Sequence, residues 1–324
     1  MRVRARVVQL DRGFPLVKTE NEDEFRCKHA ISLVKGRDVR AVVGDRVLVS
    51  VDESADIAQI VEILPRTRSL VRKDPAERQL PQTLAANFDT VIIAHPLAEL
   101  NVRRLERELV LAHETGAQVV VALTKADLAE DGQTERALEH VRHIVADGVR
   151  VLGISNQDPR SVEELRSCIP VGSVAVLIGR SGVGKSSLVN LLSGEEVQVT
   201  TPVREDGKGR HTTVNRCMVA VQGGGYIVDM PGVRGLGLWD ADDGLAAAFP
   251  DIERLARECR FRDCTHTDEP GCAVKAAVEA GTVRIERLDS YVHLHTENEE
   301  QRRKREEAQR LATRGHKPDR HRTR

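Results

Sequence analysis

The sequence predicts a multidomain α/β protein with three parts. They are an N-terminal β-barrel, a P-loop domain on a mostly parallel sheet, and a helical, metal-binding C-terminal region. Three observations predict it. Short alternating segments punctuated by glycines occupy residues 1–72. Apolar runs then alternate with helical patterns around Gly179-Arg180-Ser181-Gly182-Val183-Gly184-Lys185-Ser186. Cys259, Cys264, His266 and Cys272 crowd into one short stretch near the C-terminal end. The domain bounds expected from these shifts are 1–72, 73–240 and 241–324.

Composition narrows the class. The chain has 324 residues and is 40% hydrophobic but only 2% aromatic, so its cores must be aliphatic. Few aromatics argue against base stacking as the main mode of nucleic-acid binding. The charged fraction is 31% with a net charge of −1, so any nucleic-acid contact must be a local basic patch. No apolar run approaches the roughly 18–20 residues of a membrane span. Met1-Arg2-Val3-Arg4-Ala5-Arg6 lacks a signal-peptide core. Six cysteines in a chain this long do not suggest a secreted disulfide scaffold. A cytoplasmic protein without a membrane partner is expected, and nothing demands more than a monomer.

In the N-terminal part, Val3, Ala5 and Val7 alternate with Arg2, Arg4 and Arg6, a half-buried strand. Further strands are expected at 30–33, 46–51 and 57–63, with turns at Gly13, Gly36 and Gly44-Asp45. Short strands with such turns suggest a small barrel such as an OB-fold. The alternating arginines fit an RNA-facing surface or a solvated one. Pro65–Arg68 and Arg72–Pro75 read as a basic linker.

Thr90–Ala94, Val119–Leu123, Val149–Ile154 and Val174–Ile178 read as buried strands. Helical patterns at 102–113, 134–145, 162–168 and 187–192 lie between and after them, which predicts a parallel sheet covered by helices. A hairpin is expected from 218–221 and 226–228 around Gly223-Gly224-Gly225. The rest is helical, ending in an arginine-rich helix and tail from Glu299 that could track RNA phosphates or be a solvated face.

Gly179 to Ser186 reads G-x-x-x-x-G-K-S between a strand and a helix, the setting a phosphate-binding loop requires. Glycines let the backbone of Gly179, Arg180, Ser181, Gly182, Val183 and Gly184 bend so that N–H groups point at phosphates. Lys185 would reach the β- and γ-phosphates, with Ser186 on Mg²⁺ and Ser187 opening the helix. Asp229-Met230-Pro231-Gly232 ends an apolar strand. Asp229 suits the metal, and the Gly232 N–H suits the γ-phosphate. Thr212 or Thr213 could complete the Mg²⁺ shell. Thr124-Lys125-Ala126-Asp127 resembles the guanine-reading N-K-x-D, with Asp127 accepting from the base and Lys125 covering it. Thr124 stands where Asn is usual, which is expected to weaken bracing of the site and base selectivity. Ser155-Asn156 would supply the second base-side loop. This base motif precedes the P-loop, whereas it usually follows, so the order is that of a circularly permuted GTPase.

Cys259-x4-Cys264-x-His266-x5-Cys272 offers three thiolates and one imidazole, a closed set typical of one structural Zn²⁺. Cys27, Cys168 and Cys217 read as isolated small apolar side chains. Val233 follows D-x-x-G where a water-orienting glutamine stands in Ras-type enzymes. Slow intrinsic turnover is expected, with His211 as a candidate for placing the water. A solvent-facing or RNA-facing role for His211 fits equally.

Taken together, Leu84–Asp89, the P-loop, Gly209–Thr213, Asp229–Gly237 and Cys259–Val274 resemble the RsgA/YjeQ/EngC family of circularly permuted GTPases. The resemblance covers nearly the whole chain. It implies an OB-fold, a permuted G domain, a zinc domain, and GTP hydrolysis stimulated by the small (30S) ribosomal subunit during its late assembly. It also implies binding of GTP, GDP and 16S rRNA. The alternatives are a nucleotide-regulated RNA-binding module with negligible turnover, a permuted GTPase of another ribosome-assembly step, and use of adenine nucleotides.

Overall fold

The computed structural model describes residues 1–11, 14–34, 40–52, 57–74, 80–196, 216–230 and 237–315. Strands β1 (Arg2–Asp11), β2 (Phe14–Thr19), β3 (Glu24–His29), β4 (Arg46–Ser50) and β5 (Ala58–Ile63) pair in the order β1-β2-β3-β5-β4. β4 returns to pair with β1, with Val3 opposite Val49 and Ala5 opposite Val47, so the sheet closes into a barrel. This closure removes the sheet edges and fits an OB-fold. Alternation sends Val7, Val17, Cys27, Val47, Val49 and Ile60 inward, each fully buried. Residues 30–33, expected as a strand, instead form the single-turn helix α1 (Ile31–Val34). None of its side chains is buried, so no sheet face holds the segment extended. β2 escaped the sequence reading because Pro15 interrupts its strand signal, and β3 because charged residues surround its inward Cys27.

The expected basic linker is part of the packed structure. β6 (Ser69–Lys73) and β7 (Pro81–Ala86) form an antiparallel hairpin, and the expected boundary at 72/73 falls inside β6. Arg66 meets the wholly buried Asp45 with both carboxylate oxygens at 2.8 Å. A buried carboxylate needs such a partner, because unpaired charge in an apolar interior is strongly unfavourable. Asn87 then stitches three regions together. Its amide donates to Gly44 O at 3.1 Å, and its oxygen accepts from Thr67 N at 2.9 Å. Next to it, Asp89 accepts from Val174 N at 3.0 Å, tying this corner to the P-loop strand.

The central sheet has the order β10-β9-β8-β11-β13-β12. Its strands are β8 (Thr90–Pro96), β9 (Gln118–Thr124), β10 (Arg150–Gly153), β11 (Val174–Ile178), β12 (Arg216–Ala220) and β13 (Tyr226–Asp229). All pairs are parallel except β12–β13. β12 also pairs with β1 through Gln9–Cys217 and Leu10–Arg216, so barrel and central sheet share one hydrogen-bonded ladder. Both faces are covered, as parallel sheets require. Along β8, Val91 and Ile93 enter one core while Ile92 and Ala94 enter the other.

The helices are α2 (Val102–Glu114), α3 (Gln133–Arg142), α4 (Pro159–Arg166), α5 (Lys185–Ser193), α6 (Asp242–Ala248), α7 (Pro250–Ala256), α8 (Ala273–Glu279) and α9 (Ile285–Gly315). α2 starts where the Asn101 side chain caps Arg104 N at 3.0 Å, a cap worth about 1 kcal/mol. It buries Leu105, Leu109 and Ala112 against β8 and β9, as the apolar spacing predicts. Each of the two leucines contributes roughly 1.5–3 kcal/mol by leaving water, and the alanine methyl less. Phe249 between α6 and α7, Ile252 of α7 and Tyr291 of α9 enter the same core. Arg287 of α9 locks this arrangement, pairing with Asp251 of α7 at 2.6 Å and with buried Glu106 of α2 at 3.1 Å.

Candidate nucleotide-binding site

β11 ends at Ile178 and the chain turns at Gly179, whose φ is +147°. A Cβ there would sit 2.5 Å from Ala94 O, so only glycine permits this approach to β8. The loop through Arg180, Ser181, Gly182 and Val183 returns at Gly184, with φ +98°, into α5. Lys185 opens the helix and Ser186 and Ser187 follow it in the first turn. The Lys185 ammonium is buried and donates to Gly179 O and Arg180 O, both at 2.9 Å. Burial lowers its pKa, against the pull of the carboxylates Asp229 and Glu108.

Asp229 reaches this point because β13 pairs with β11, placing it opposite Leu177. It is 4% exposed, and its Oδ1 has no hydrogen-bond partner among the described residues. Burial raises its carboxyl above the usual range, and Lys185 opposes the shift. A buried anionic oxygen left without a donor is chemically suited to a cation.

The base-side segment lies against the loop. Thr124, at the end of β9, is 3% exposed, and its hydroxyl faces Val183 O at 2.6 Å and His95 O at 3.1 Å. The brace that Asn would supply is therefore replaced by a hydroxyl bond directly to the P-loop. Lys125 follows in the left-handed conformation, φ +60°, and Asp127 sits one turn on. Asp127 accepts from Asn156 N at 3.4 Å, and Gln157 N donates to the Ser155 hydroxyl at 3.0 Å. The two base-side loops thus meet. His211, Thr212, Thr213, Gly232 and Val233 lie outside the described residues.

Sequence reasoning missed one polar group beside the loop. His95, at the end of β8, meets Glu108 of α2 at 2.7 Å, and Arg104 donates to the other Glu108 oxygen at 3.0 Å. His95 is 3% exposed and Glu108 is wholly buried. The available signal was Glu108 itself, a carboxylate next to Leu109 on the apolar face of α2. A cleft of about 1020 Å³ runs between this group, the P-loop and α9.

In the C-terminal part, Cys259, Cys264, His266 and Cys272 place their donor atoms within 4.8 Å of one another and could hold a metal ion. His266 Nδ1 lies 3.4 Å from Cys272 Sγ and 3.7 Å from Cys259 Sγ. Of the remaining cysteines, Cys27 and Cys168 are buried and Cys217 is half-buried. Burial pushes the Cys27 thiol up to about 11. α9 also grips the segment that follows D-x-x-G. Glu297 accepts from Leu238 N at 3.2 Å and pairs with Arg107 of α2 at 2.6 Å, while Asn298 accepts from Ala241 N at 3.0 Å. Arg305 stacks on Trp239 at 4.8 Å and pairs with Asp240 at 2.7 Å.

Fold and site define a P-loop nucleotide-binding protein in which the strand ending at Thr124, before Lys125 and Asp127, precedes the phosphate loop. Comparison with known proteins narrows this class. A sequence model of the RsgA GTPase family matches residues 63–239, and one for 50S ribosome-binding GTPases matches 174–320. A small ribosomal subunit biogenesis GTPase RsgA of Streptomyces avermitilis is 44% identical, over 91% of this chain and 79% of that protein. The corresponding protein of Streptomyces coelicolor is 43% identical, over 91% and 80%. The crystal structure of YjeQ from Thermotoga maritima matches with a TM-score of 0.67 at 27% identity, covering 92% of this chain and 98% of that one. YloQ, described as a circularly permuted GTPase, matches at 0.64 and 26% identity, covering 93% and 96%. The chain belongs to the RsgA GTPase family. Among the described residues no helix is long and apolar enough to cross a membrane.

Proposed function

We propose that this chain hydrolyses GTP as a late assembly factor of the small ribosomal subunit, binding 16S rRNA while GTP is present and leaving once GDP remains. The observation that carries the reading is the Thr124 hydroxyl bond to Val183 O, which joins a base-reading loop to a phosphate loop in one permuted sheet. The relatives named for small-subunit biogenesis supply the biological setting. The protein acts as a cytoplasmic monomer.

The roles are supported by the sequence motifs and, for the described residues, by the distances given above. N–H groups of residues 179–187 cradle phosphates, helped by the N-terminus of α5. Lys185 exchanges its two carbonyl partners for phosphate oxygens. Lys125 and Asp127 read guanine, and Ser155 closes the base side. The orphaned Asp229 oxygen fits Mg²⁺, with Ser186 and either Thr212 or Thr213 as further ligands. Bound with GTP, Mg²⁺ would neutralise phosphate charge. The D-x-x-G motif assigns the Gly232 N–H to the γ-phosphate, and His211 is assigned to placing water from its position beside Thr212 in the sequence. Cys259, Cys264, His266 and Cys272 fit one structural Zn²⁺, which would cross-link the segments before α8.

Leu238 and Ala241, which follow D-x-x-G in the sequence, are held by Glu297 and Asn298. A change of position there on losing the γ-phosphate passes to α9 and to the metal-binding region behind it. Co-sedimentation with purified small subunits tests the reading. Affinity with a non-hydrolysable GTP analogue should exceed that with GDP by about tenfold, a coupling of about 1.4 kcal/mol. Equal affinity with both nucleotides overturns it.

A further inference from the structure

The roles proposed above give water placement to His211 and phosphate charge to Lys185 and Mg²⁺, and they include no arginine side chain, although an arginine commonly neutralises the charge of this transition state. The structure offers a charged group from another direction. Arg104 lines the same cleft as Ser181 and Gly182 of the P-loop and as Lys125. It is anchored through an unusual arrangement for a half-buried helix arginine. Glu108, its partner, is wholly buried, and the carboxylate's second oxygen is fixed by His95 on the strand beside the P-loop.

An ordinary surface pair at this spacing stabilises a helix by only about 0.3–0.5 kcal/mol. That return does not explain burying a carboxylate, whose desolvation is far larger. Nor is the position favourable for a cation. Arg103 and Arg104 lie in the first turn of α2, which contains no acidic residue, where the helix dipole repels positive charge. Locked side chains at locally unfavourable positions are the mark of a preorganised site. Arg104 is also close enough to Lys185 to oppose that ammonium's charge, although burial is the larger cause of its lowered pKa. The Arg104 side chain is 34% exposed and lines the cleft.

We propose that Arg104 is a catalytic arginine supplied in cis, donating to the γ-phosphate of GTP across this cleft, with Glu108 and His95 as the positioning residues that aim it. The inference rests on the GTPase reading. Water attacks the γ-phosphorus, and a new P–O bond forms. The bond from that phosphorus to the β–γ bridging oxygen breaks, and its electron pair leaves with GDP. The protons of the water pass to inorganic phosphate and solvent. Arg104 keeps its own protons and neutralises charge on the phosphoryl and bridging oxygens.

The test is single-turnover GTP hydrolysis by the full chain without ribosomes, alongside affinity for GDP and for GDP with aluminium fluoride. Arg104→Ala should slow hydrolysis by about thirtyfold or more and abolish aluminium fluoride capture, while GDP affinity stays within about threefold. Arg104→Lys should not restore the rate, because an ammonium lacks the planar fork. Glu108→Gln should give an intermediate loss, and exposed Arg103→Ala should hydrolyse like wild type. Wild-type rates and intact aluminium fluoride capture in Arg104→Ala overturn this inference alone. A wild-type protein that neither hydrolyses GTP nor captures the analogue overturns the GTPase reading and this inference with it.

Discussion

Asp229 shows how much chemistry one burial can set. Its carboxyl is raised by desolvation and only partly corrected by Lys185. The folded protein therefore holds a proton at pH values where the unfolded chain has released it. Stability from this residue falls as pH rises from the unfolded pKa through the folded one, and the penalty persists at neutral pH. In metal-free, nucleotide-free protein at pH 7, Asp229→Asn should therefore raise the melting temperature by about 2 °C or more. An unchanged or lower melting temperature contradicts this account of the site. Thr124 makes a related point. A residue that departs from the usual motif keeps the brace by using a hydroxyl in place of an amide.

Among the elements, α9 carries the most consequence. Glu297 holds Leu238 N and Arg107 together, so one carboxylate links the exit from D-x-x-G to α2. Glu297→Ala should leave nucleotide affinity unchanged and reduce the GTP-over-GDP preference for small subunits to within about threefold, as read by co-sedimentation. A full preference in this variant removes α9 from the coupling. Much at this scale was legible in the sequence. The apolar spacing of Leu105, Leu109 and Ala112 predicts α2, and unbroken Val/Ile runs predict β8, β9 and β11. The P-loop and the Cys/His cluster were legible because ligand chemistry fixes their spacing locally. Arg66–Asp45, the Asn87 stitches and His95–Glu108 were not, because each joins residues distant in sequence whose polarity reads as surface. Residues 30–33 read as a strand because local apolarity does not reveal whether a sheet neighbour exists.

The whole molecule is continuous in two ways that tie its parts to the nucleotide. The barrel is joined to the central sheet through β1 and β12, next to the strand that delivers Asp229. The C-terminal helices share the core of α2 and hold the chain that leaves D-x-x-G. Permutation makes this possible by freeing both ends of the P-loop domain to carry an appendage. A change at the γ-phosphate position can therefore reach the barrel and the C-terminal helices from one site. The most direct measurement is steady-state GTP hydrolysis with and without purified small ribosomal subunits. The account predicts stimulation of about tenfold or more by small subunits, with large subunits giving none. Equal rates with and without small subunits would contradict it.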